Sequence, residues 1–186
     1  MEKIAVEIKN CVKCELSATR TNTVPGAGCL NPDIMFIGEA PGADEDATGM
    51  PFVGGAGQIL TRLITRMGYT REEVFIGNIL KCRPPGNRDP LPHEVTECIP
   101  YLRRQIALIQ PKVIVALGLI SARELTGEDL PIGKMRGNWF SFEGIPLMPT
   151  YHPAYLLRGS KDAYFKVWED MLKVFEKLGK EPPEKG

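Results

Sequence analysis

The sequence lacks most features that would assign it at once to a class. Its 186 residues include only two histidines, no internal repeat and no G-x-S-x-G nucleophile elbow. No apolar run approaches the roughly 18 residues of a membrane span, and the charged N-terminus offers no signal region. The 23 basic and 23 acidic residues balance, which excludes a broad positive coat for nucleic acid. We therefore expect one cytoplasmic domain over residues 1–186, with a frayed tail at residues 180–186.

Short apolar runs alternate with amphipathic segments along the chain. The runs predict strands at residues 33–38, 74–80 and 112–118, and a hairpin of residues 139–142 and 145–148. Its second strand would complete the core sheet. Apolar residues at helical spacing predict helices at about residues 60–67, 93–110, 121–125 and 165–175. This alternation predicts a three-layer α/β/α sandwich around a central, mainly parallel four-stranded sheet.

The loops with unusual composition all leave the ends of predicted strands. One starts at Gly38, one at Asn78 and one at Tyr151. Since ligands bind outside the carboxyl ends of strands in open α/β sheets, these loops are expected to form an active site together.

Four of the five cysteines have a spacing that suggests a metal site. Cys11 and Cys14 form a C-x-x-C motif, and Cys82 and Cys98 flank a loop and a helix start. In a cytosolic protein this favours metal over disulfide, with zinc and an iron–sulfur cluster both open. Buried cysteines with a redox C-x-x-C are the alternative, and Cys29 is expected to pack without a partner.

Three residues in these loops could bind a planar ligand. Phe52 is either a plug over the sheet end or a platform on which a base stacks. Asn78, at the end of an apolar strand, either caps its own loop or pairs with an amide-like ligand. His152 follows a strand and precedes Pro153, which favours a site role, whereas His93 is expected at the surface.

Four motifs together resemble the family 4 uracil-DNA glycosylases in order and spacing. They are Gly38-Glu39-Ala40-Pro41-Gly42, Gly49-Met50-Pro51-Phe52-Val53-Gly54, Asn78-Ile79-Leu80-Lys81-Cys82-Arg83-Pro84-Pro85 and His152-Pro153-Ala154-Tyr155-Leu156-Leu157-Arg158. With the cysteines, the resemblance covers nearly the whole chain. It implies an enzyme of base excision repair that flips uracil out of DNA, releases it and leaves an abasic site.

The resemblance also implies roles for residues around the base. Uracil would stack on Phe52, lie beside Gly38 and Ala40, be read by Asn78 and be contacted at O2 by His152. A carboxamide offers one donor and one acceptor, which match O4 and N3–H of uracil, whereas cytosine reverses that pattern. The family fold thus predicts selection of uracil against cytosine.

The resemblance further implies a cofactor and a DNA surface. A structural 4Fe–4S cluster would be held by Cys11, Cys14, Cys82 and Cys98. The partner would be uracil-containing DNA, bound by a monomer. Leu156 would wedge into the base stack, with Leu157 as the competing candidate. The expected DNA contacts are Lys81, Arg83, Arg88, Arg136, Leu156 and Arg158.

The match to the wider superfamily has gaps. Ala40 stands where better-known members place the aspartate that activates water, so that role falls to Glu39, or to Glu45 as second choice. Gly42 stands where they place a bulky aromatic against thymine, which leaves exclusion of thymine to residues 44–46. Residues 85–90 lack the insertion and histidine with which a sister group captures DNA, so covalent capture is not expected.

Two other functions fit parts of the sequence. A non-catalytic DNA-binding or DNA-sensing module with a metal cluster would need the cysteines and basic loops, but not Asn78, Phe52 or His152. A small-molecule hydrolase with a zinc site would need a nucleophile elbow or a histidine-rich ligand set, and neither is present.

Overall fold

The computed structural model describes residues 1–157 and 161–183. Its strands are β1 Ala27–Gly28, β2 Ile34–Gly38, β3 Phe75–Asn78, β4 Val113–Leu117, β5 Phe140–Phe142 and β6 Ile145–Thr150. Its helices are α1 Glu2–Lys9, α2 Leu16–Thr19, α3 Ala43–Thr48, α4 Gly55–Arg66, α5 Pro92–Ile109, α6 Leu119–Thr126, α7 Ile132–Met135, α8 Pro153–Leu156 and α9 Lys161–Leu178. A short 3-10 turn covers Pro85–Asn87.

The strands form one sheet in the order β1-β3-β2-β4-β6-β5. The four central strands are parallel, as predicted, and their carboxyl ends therefore lie at the same edge. The predicted hairpin is also present, since β5 pairs antiparallel with β6. The other edge strand, β1, was not predicted, because two residues are too few to show an alternating pattern.

Alternate side chains of the central strands fill two separate cores. Ile34 and Phe36 of β2 pack with residues of α4 and α9 on one face of the sheet. Met35 and Ile37 pack with residues of α5 and α6 on the other. Because both faces are covered, these strands are continuously apolar rather than alternating. The structure thus confirms the three-layer α/β/α sandwich.

Five helices, α1, α2, α3, α7 and α8, lie in segments for which no helix was predicted. In α1, Ile4 and Ile8 pack on Tyr101 of α5, and this places the N-terminal segment beside the cysteines. Inside the loop that follows β2, α3 is closed at its end by Gly49 in the left-handed conformation. Its sequence, ADEDAT, has too few apolar residues to show helical periodicity.

The C-terminal segment is described as far as residue 183. Lys180, the first residue of the expected frayed tail, donates to Asp33 at 2.5 Å and to the Tyr69 hydroxyl at 3.1 Å. Its backbone N–H also donates to Phe175 O, which ends α9. In the described part of the chain, no helix combines the length and apolar character needed to cross a membrane.

Candidate active site

A cavity of about 330 Å³ opens at the carboxyl ends of the parallel strands. This size suits a small ligand such as a single base. Its walls bring together residues from the three loops that the sequence singled out. Those lining it are Glu39, Ala40, Pro41, Gly42, Glu45, Phe52, Ala56, Asn78, Pro84, Asn87, Arg88, His152 and Ala154. Phe52, Asn78 and His152 therefore line the same cavity.

Gly38 is the point at which the aromatic and the carboxamide converge. A Cβ atom at this position would lie 2.4 Å from Asn78 Oδ1 and 2.5 Å from Phe52 Cζ. Real side chains do not approach so closely, so only glycine lets both groups come together over the backbone. Because Gly38 has no side chain, the Asn78 carboxamide and the Phe52 ring can both pack against its backbone at the floor of the cavity.

The Phe52 ring lies at the junction of the core and the cavity. The residue is 5% exposed and packs with the apolar residues around α4, and its ring centroid lies 5.8 Å from that of His152, tilted by 34°. Its φ is 51°, a left-handed conformation that is costly for an aromatic residue. Phe52 thus packs in the apolar core and also lines the cavity.

The Asn78 carboxamide is buried, with 1% of the residue exposed. Among the residues that the structure describes, its Oδ1 has no hydrogen-bond partner. An unpaired buried carbonyl costs about 1–3 kcal/mol, so such groups usually meet a ligand or water. The backbone around Asn78 is firmly held, since its carbonyl accepts from Lys81 Nζ at 2.7 Å and Ile79 N–H donates to Gly38 O at 3.0 Å.

His152 is a neutral donor with a fixed tautomer. Its Nδ1 accepts from the backbone N–H of Ala154 at 3.1 Å, and a backbone N–H can only donate, so the ring proton lies on Nε2. Burial lowers the pKa of His152 to about 4, against the opposing effect of the Glu45 charge. Close packing on Gly118, where a Cβ would lie 2.9 Å from that of His152, fixes the residue further.

Two carboxylates line the cavity in different environments. Burial, together with the charge of Asp89, raises the pKa of Glu39 to about 7. Glu45 instead accepts three backbone N–H groups, from Gly42 at 3.0 Å, Val53 at 2.8 Å and Gly54 at 2.9 Å. Glu45 therefore holds the loop that carries Phe52, whereas Glu39 is poised to exchange a proton near neutral pH.

The rest of the acidic loop serves as an anchor. Asp46 is buried and accepts the backbone N–H groups of Thr21 at 2.9 Å and Asn22 at 3.3 Å. These contacts join α3 to the segment that follows the C-x-x-C motif. Asp46 therefore faces away from the cavity contacts through which residues 44–46 were expected to exclude thymine.

Two of the basic side chains expected to contact DNA are engaged within the protein. Lys81 is 1% exposed and burial lowers its pKa to about 8, so the structure does not support a phosphate contact. Arg88 lines the cavity, but its guanidinium binds the buried carboxylate of Glu94 at 2.6 and 2.9 Å. Arg83 is less constrained: within the described residues its side chain makes one hydrogen bond, from Nε to Asn87 Oδ1 at 2.7 Å.

Arg136 is also a structural residue. Its guanidinium donates to both oxygens of the buried Asp170, at 2.6 and 3.0 Å, and to Lys166 O. Asp170 in turn accepts from Thr150 at the end of β6, at 2.6 Å. The expected phosphate contact of Arg136 is therefore not supported, because the side chain joins α9 to β6. Arg158 lies outside the described residues.

The two leucines of the last motif have different surroundings. Leu156 packs against the apolar core beneath α4 and α9, whereas Leu157 is 54% exposed. A wedge must be free to enter DNA, so Leu157 suits that role better than Leu156, which had been favoured from the sequence.

The four cysteines expected to bind metal line one pocket between α1, α5 and the loop after β3. Arg20 Nη1 donates to Cys82 Sγ and Lys81 N–H to Cys98 Sγ, both at 3.2 Å. Burial raises the pKa of Cys98 to about 12 and also raises the pKa values of Cys14 and Cys82. The four cysteines line a common pocket and two of their sulfurs accept N–H groups, but among the described residues a group close enough to hold a metal ion is Glu15, His93 and Glu94. Cys29 lies apart from this pocket, and its Sγ accepts from Asn31 N–H at 3.4 Å.

Known proteins place this arrangement in a family. The family model described as the uracil DNA glycosylase superfamily matches residues 25–175. The chain belongs to this superfamily. Within it, the chain is similar to the type-4 uracil-DNA glycosylases of Saccharolobus solfataricus (45% identity, 98% of this chain and 88% of the relative) and Thermotoga maritima (44%, 97% and 96%). That of Sulfurisphaera tokodaii is 49% identical over 84% of this chain and 76% of its own.

These relatives confirm the resemblance to family 4 drawn from the sequence. The matched residues include every cavity loop, since the superfamily region runs from before β1 into α9, as far as Phe175. Superfamily membership also accounts for the parallel sheet with a ligand cavity at its carboxyl edge. Ala154 and Asn87 are cavity residues that the sequence did not reveal, because neither carries chemistry that would distinguish it from an ordinary loop residue.

Proposed function

We propose that this protein hydrolyses the N-glycosidic bond of uracil in DNA, leaving an abasic site. The observation that supports this best is the buried, unpaired Oδ1 of Asn78 in a cavity whose other walls carry Phe52 and His152. A planar ligand with an adjacent donor and acceptor would satisfy the carboxamide, and uracil is such a ligand. The base must first leave the duplex, because its glycosidic bond cannot be reached while the base is stacked.

Recognition of the base rests on Asn78 and Phe52. Oδ1 of Asn78 accepts from uracil N3–H, and Nδ2 donates to O4, while the base stacks on the Phe52 ring. Stacking of this kind contributes about 1–3 kcal/mol. Cytosine presents an acceptor at N3 and a donor at N4, so it would leave the buried Oδ1 unpaired. Discrimination against cytosine follows from that penalty.

His152 acts on the leaving group. As the N1–C1′ bond breaks, its electron pair passes to the base and negative charge grows on O2. The Nε2–H of neutral His152 donates to this oxygen, and the bond strengthens in the transition state. Since the pKa of His152 is about 4, the ring is already neutral at pH 7, so it donates a hydrogen bond and has no imidazolium proton to transfer to the base.

Glu39 is proposed to direct the water. Water oxygen bonds to the sugar cation at C1′, and its proton passes to the Glu39 carboxylate, which is ionised above pH 7. The products are the uracil anion and an abasic sugar. Glu45, the other sequence candidate, keeps its oxygens bound to backbone N–H groups and so contributes through the loop.

Contacts with DNA are proposed for the cavity rim. Leu157 is the wedge that fills the space left by the flipped base, and Arg83 contacts a phosphate. Of the other basic residues, Lys81, Arg88 and Arg136 are left out because their cationic groups serve contacts within the protein.

The cysteine pocket is proposed to hold a 4Fe–4S cluster. Cys11, Cys14, Cys82 and Cys98 are the ligands, and the bound cluster supplies a covalent staple rather than electrons, because the hydrolysis moves none. Protein purified without oxygen should show an absorption band at about 400 nm. The band should be lost when any one of these four cysteines is changed to serine. A colourless protein that binds one zinc would contradict this assignment.

The test of function is release of uracil by wild type and Asn78→Ala. A labelled oligonucleotide with one uracil is incubated, treated with alkali and resolved on a gel. Alkali should cleave the strand after incubation with wild type, and Asn78→Ala should release uracil at least about a hundredfold more slowly. Asn138→Ala removes an exposed amide that only bonds Lys134 O, and should match wild type.

The same experiment, with a mobility shift added, distinguishes the glycosylase from a non-catalytic DNA-binding or DNA-sensing module. A DNA-binding or DNA-sensing module would retain the oligonucleotide in a mobility shift but leave the strand intact with wild type. Undiminished cutting by Asn78→Ala would keep the enzyme and remove Asn78 from base recognition.

A further inference from the structure

Arg71 lies in the turn between α4 and β3 and reaches back to the loop that carries Phe52. Its Nη2 donates to Pro51 O at 2.6 Å, and its Nη1 donates to Phe52 O at 3.1 Å and to Thr61 Oγ1 at 3.0 Å. One guanidinium therefore binds two consecutive carbonyls of the loop and a hydroxyl of α4. Arg71 is half-buried, and burial lowers its pKa.

The carbonyl that Arg71 binds belongs to a strained residue. Phe52 has a φ of 51°, in the left-handed region, where the backbone of an aromatic residue is strained. Gly57 packs directly on the same peptide, since a Cβ there would lie 2.0 Å from Phe52 O. The strained peptide is therefore pressed against the start of α4, where the guanidinium satisfies its carbonyl.

The next two residues are held from the other side. Glu45 Oε1 accepts the N–H groups of Val53 at 2.8 Å and Gly54 at 2.9 Å. Arg71 donates to the carbonyls of Pro51 and Phe52. The Arg71 cation and the Glu45 carboxylate therefore bind consecutive peptides on either side of the ring. The ring itself faces Gly38 and Asn78 in the cavity.

We propose that Arg71 is a positioning residue for the stacking platform: it holds Phe52 in its left-handed conformation and thereby sets the ring beneath the base. This rests on the proposed function, in which Phe52 stacks on uracil. Arg71 is not among the residues that line the cavity, so its effect on catalysis passes through Phe52. If Arg71 only stabilised the fold, its substitution would lower stability to the same extent whether or not the Phe52 ring is present.

A double-mutant cycle tests this dependence. Arg71→Met is made in wild type and in Phe52→Ala, and single-turnover release of uracil is measured for all four proteins. Arg71→Met should slow release by roughly tenfold to a hundredfold in the presence of the ring, as expected for a displaced contact, and by less than about twofold in Phe52→Ala. Arg62→Met, which removes an exposed guanidinium from α4, is the matched control and should release uracil like wild type.

Equal slowing in both backgrounds, or no slowing in wild type, would overturn the proposal. Arg71→Lys keeps a cation but loses the planar fork, so it should show an intermediate effect and replaces Arg71→Met if that variant does not fold.

A second measurement does not depend on activity. With 4-fluorophenylalanine at position 52, the ¹⁹F spectrum should show one sharp resonance in wild type and Arg62→Met. Arg71→Met should shift or broaden it, because the ring then samples several orientations. An unchanged resonance would contradict the positioning role. If wild type releases no uracil but the resonance still responds to Arg71→Met, the proposed function fails while the control of Phe52 by Arg71 stands.

Discussion

His152 accepts a hydrogen bond at Nδ1 from the backbone N–H of Ala154, two residues later in the chain, at 3.1 Å. This bond fixes which ring nitrogen carries the proton, and burial keeps the ring neutral by lowering its pKa to about 4. Since the contact is local, the His-Pro-Ala sequence itself sets the tautomer: Pro153 begins α8 and turns the Ala154 N–H back to the ring.

We expect His152→Ala to slow single-turnover release of uracil by about a hundredfold to a thousandfold, because one donor to the developing oxyanion is lost. In ¹⁵N spectra of the wild type, Nε2 should be the protonated nitrogen at pH 7, and the ring should titrate near pH 4. A ring that titrates at its ordinary value of 6.5, or that carries its proton on Nδ1, would contradict the proposed donor.

The same shift affects stability. The folded state keeps His152 neutral, whereas in the unfolded state the ring takes up a proton below pH 6.5. The unfolded state therefore binds more protons between about pH 6.5 and 4, and stability falls as the pH is lowered through that window. His152→Gln should remove this part of the pH dependence in urea unfolding, with the rest of the profile unchanged.

The positions of the residues that line the cavity could be predicted because they depend on local sequence and on a general rule. Apolar runs identified the parallel strands, and parallel strands place the loops after Gly38 and Asn78 at one edge. The strained φ of Phe52 could not be predicted, because it is imposed by Gly57 and by Arg71, which is 19 residues away in sequence.

The roles of the basic residues were poorly predicted for the same reason. Lys81 and Arg136 occur in polar loops, and such loops are usually at the surface. The partner of Arg136 comes from the tertiary fold, because Asp170 approaches it from α9, 34 residues later. Lys81 instead turns inward to the carbonyl of Asn78, three residues earlier in the chain, and the fold buries it there. A sequence shows charge but not whether the fold supplies a buried partner.

The exposure of Leu157 and the packing of Leu156 lead to opposite expectations for two similar substitutions. Leu157→Ala should slow release from double-stranded DNA by about tenfold and affect single-stranded DNA little, since only the duplex must be opened and its gap filled. Leu156→Ala should lower the free energy of unfolding by about 1–2 kcal/mol through lost apolar contact, with a smaller effect on release. The reverse pattern would assign the wedge to Leu156.

The ion pair between Arg136 and Asp170 predicts a stability variant rather than a DNA-binding variant. Arg136→Met leaves a buried carboxylate without its cation and should cost about 3–5 kcal/mol in urea unfolding. DNA affinity and its dependence on salt should stay as in wild type at a temperature at which the variant is folded. Arg83→Met, at the cavity rim, should show the converse: normal stability and a salt dependence reduced by about one phosphate contact.

Glu39 connects catalysis and stability through one carboxyl group. Its pKa of about 7 means that release of uracil should rise with pH through neutrality as the base ionises. Glu39→Gln should slow release by about a hundredfold at pH 8 and remove this rise, and Glu39→Asp should retain it.

Ionisation of Glu39 changes stability in the opposite direction: release of uracil should rise with pH, whereas stability should fall. The folded pKa is raised above 4.5, so the folded state binds more protons between pH 4.5 and 7, and stability falls as the pH rises through that window. Glu39→Gln should therefore stabilise the protein above pH 7, by about 1–2 kcal/mol after allowance for partial solvent access. The measurement is urea unfolding at pH 5 and pH 8, with Glu97→Gln on the exposed face of α5 as control. If Glu39→Gln lost activity and yet differed from wild type in stability by the same amount at pH 5 and pH 8, the pKa of Glu39 would be close to its usual value of 4.5. Only its place in the cavity would then support the water-directing role.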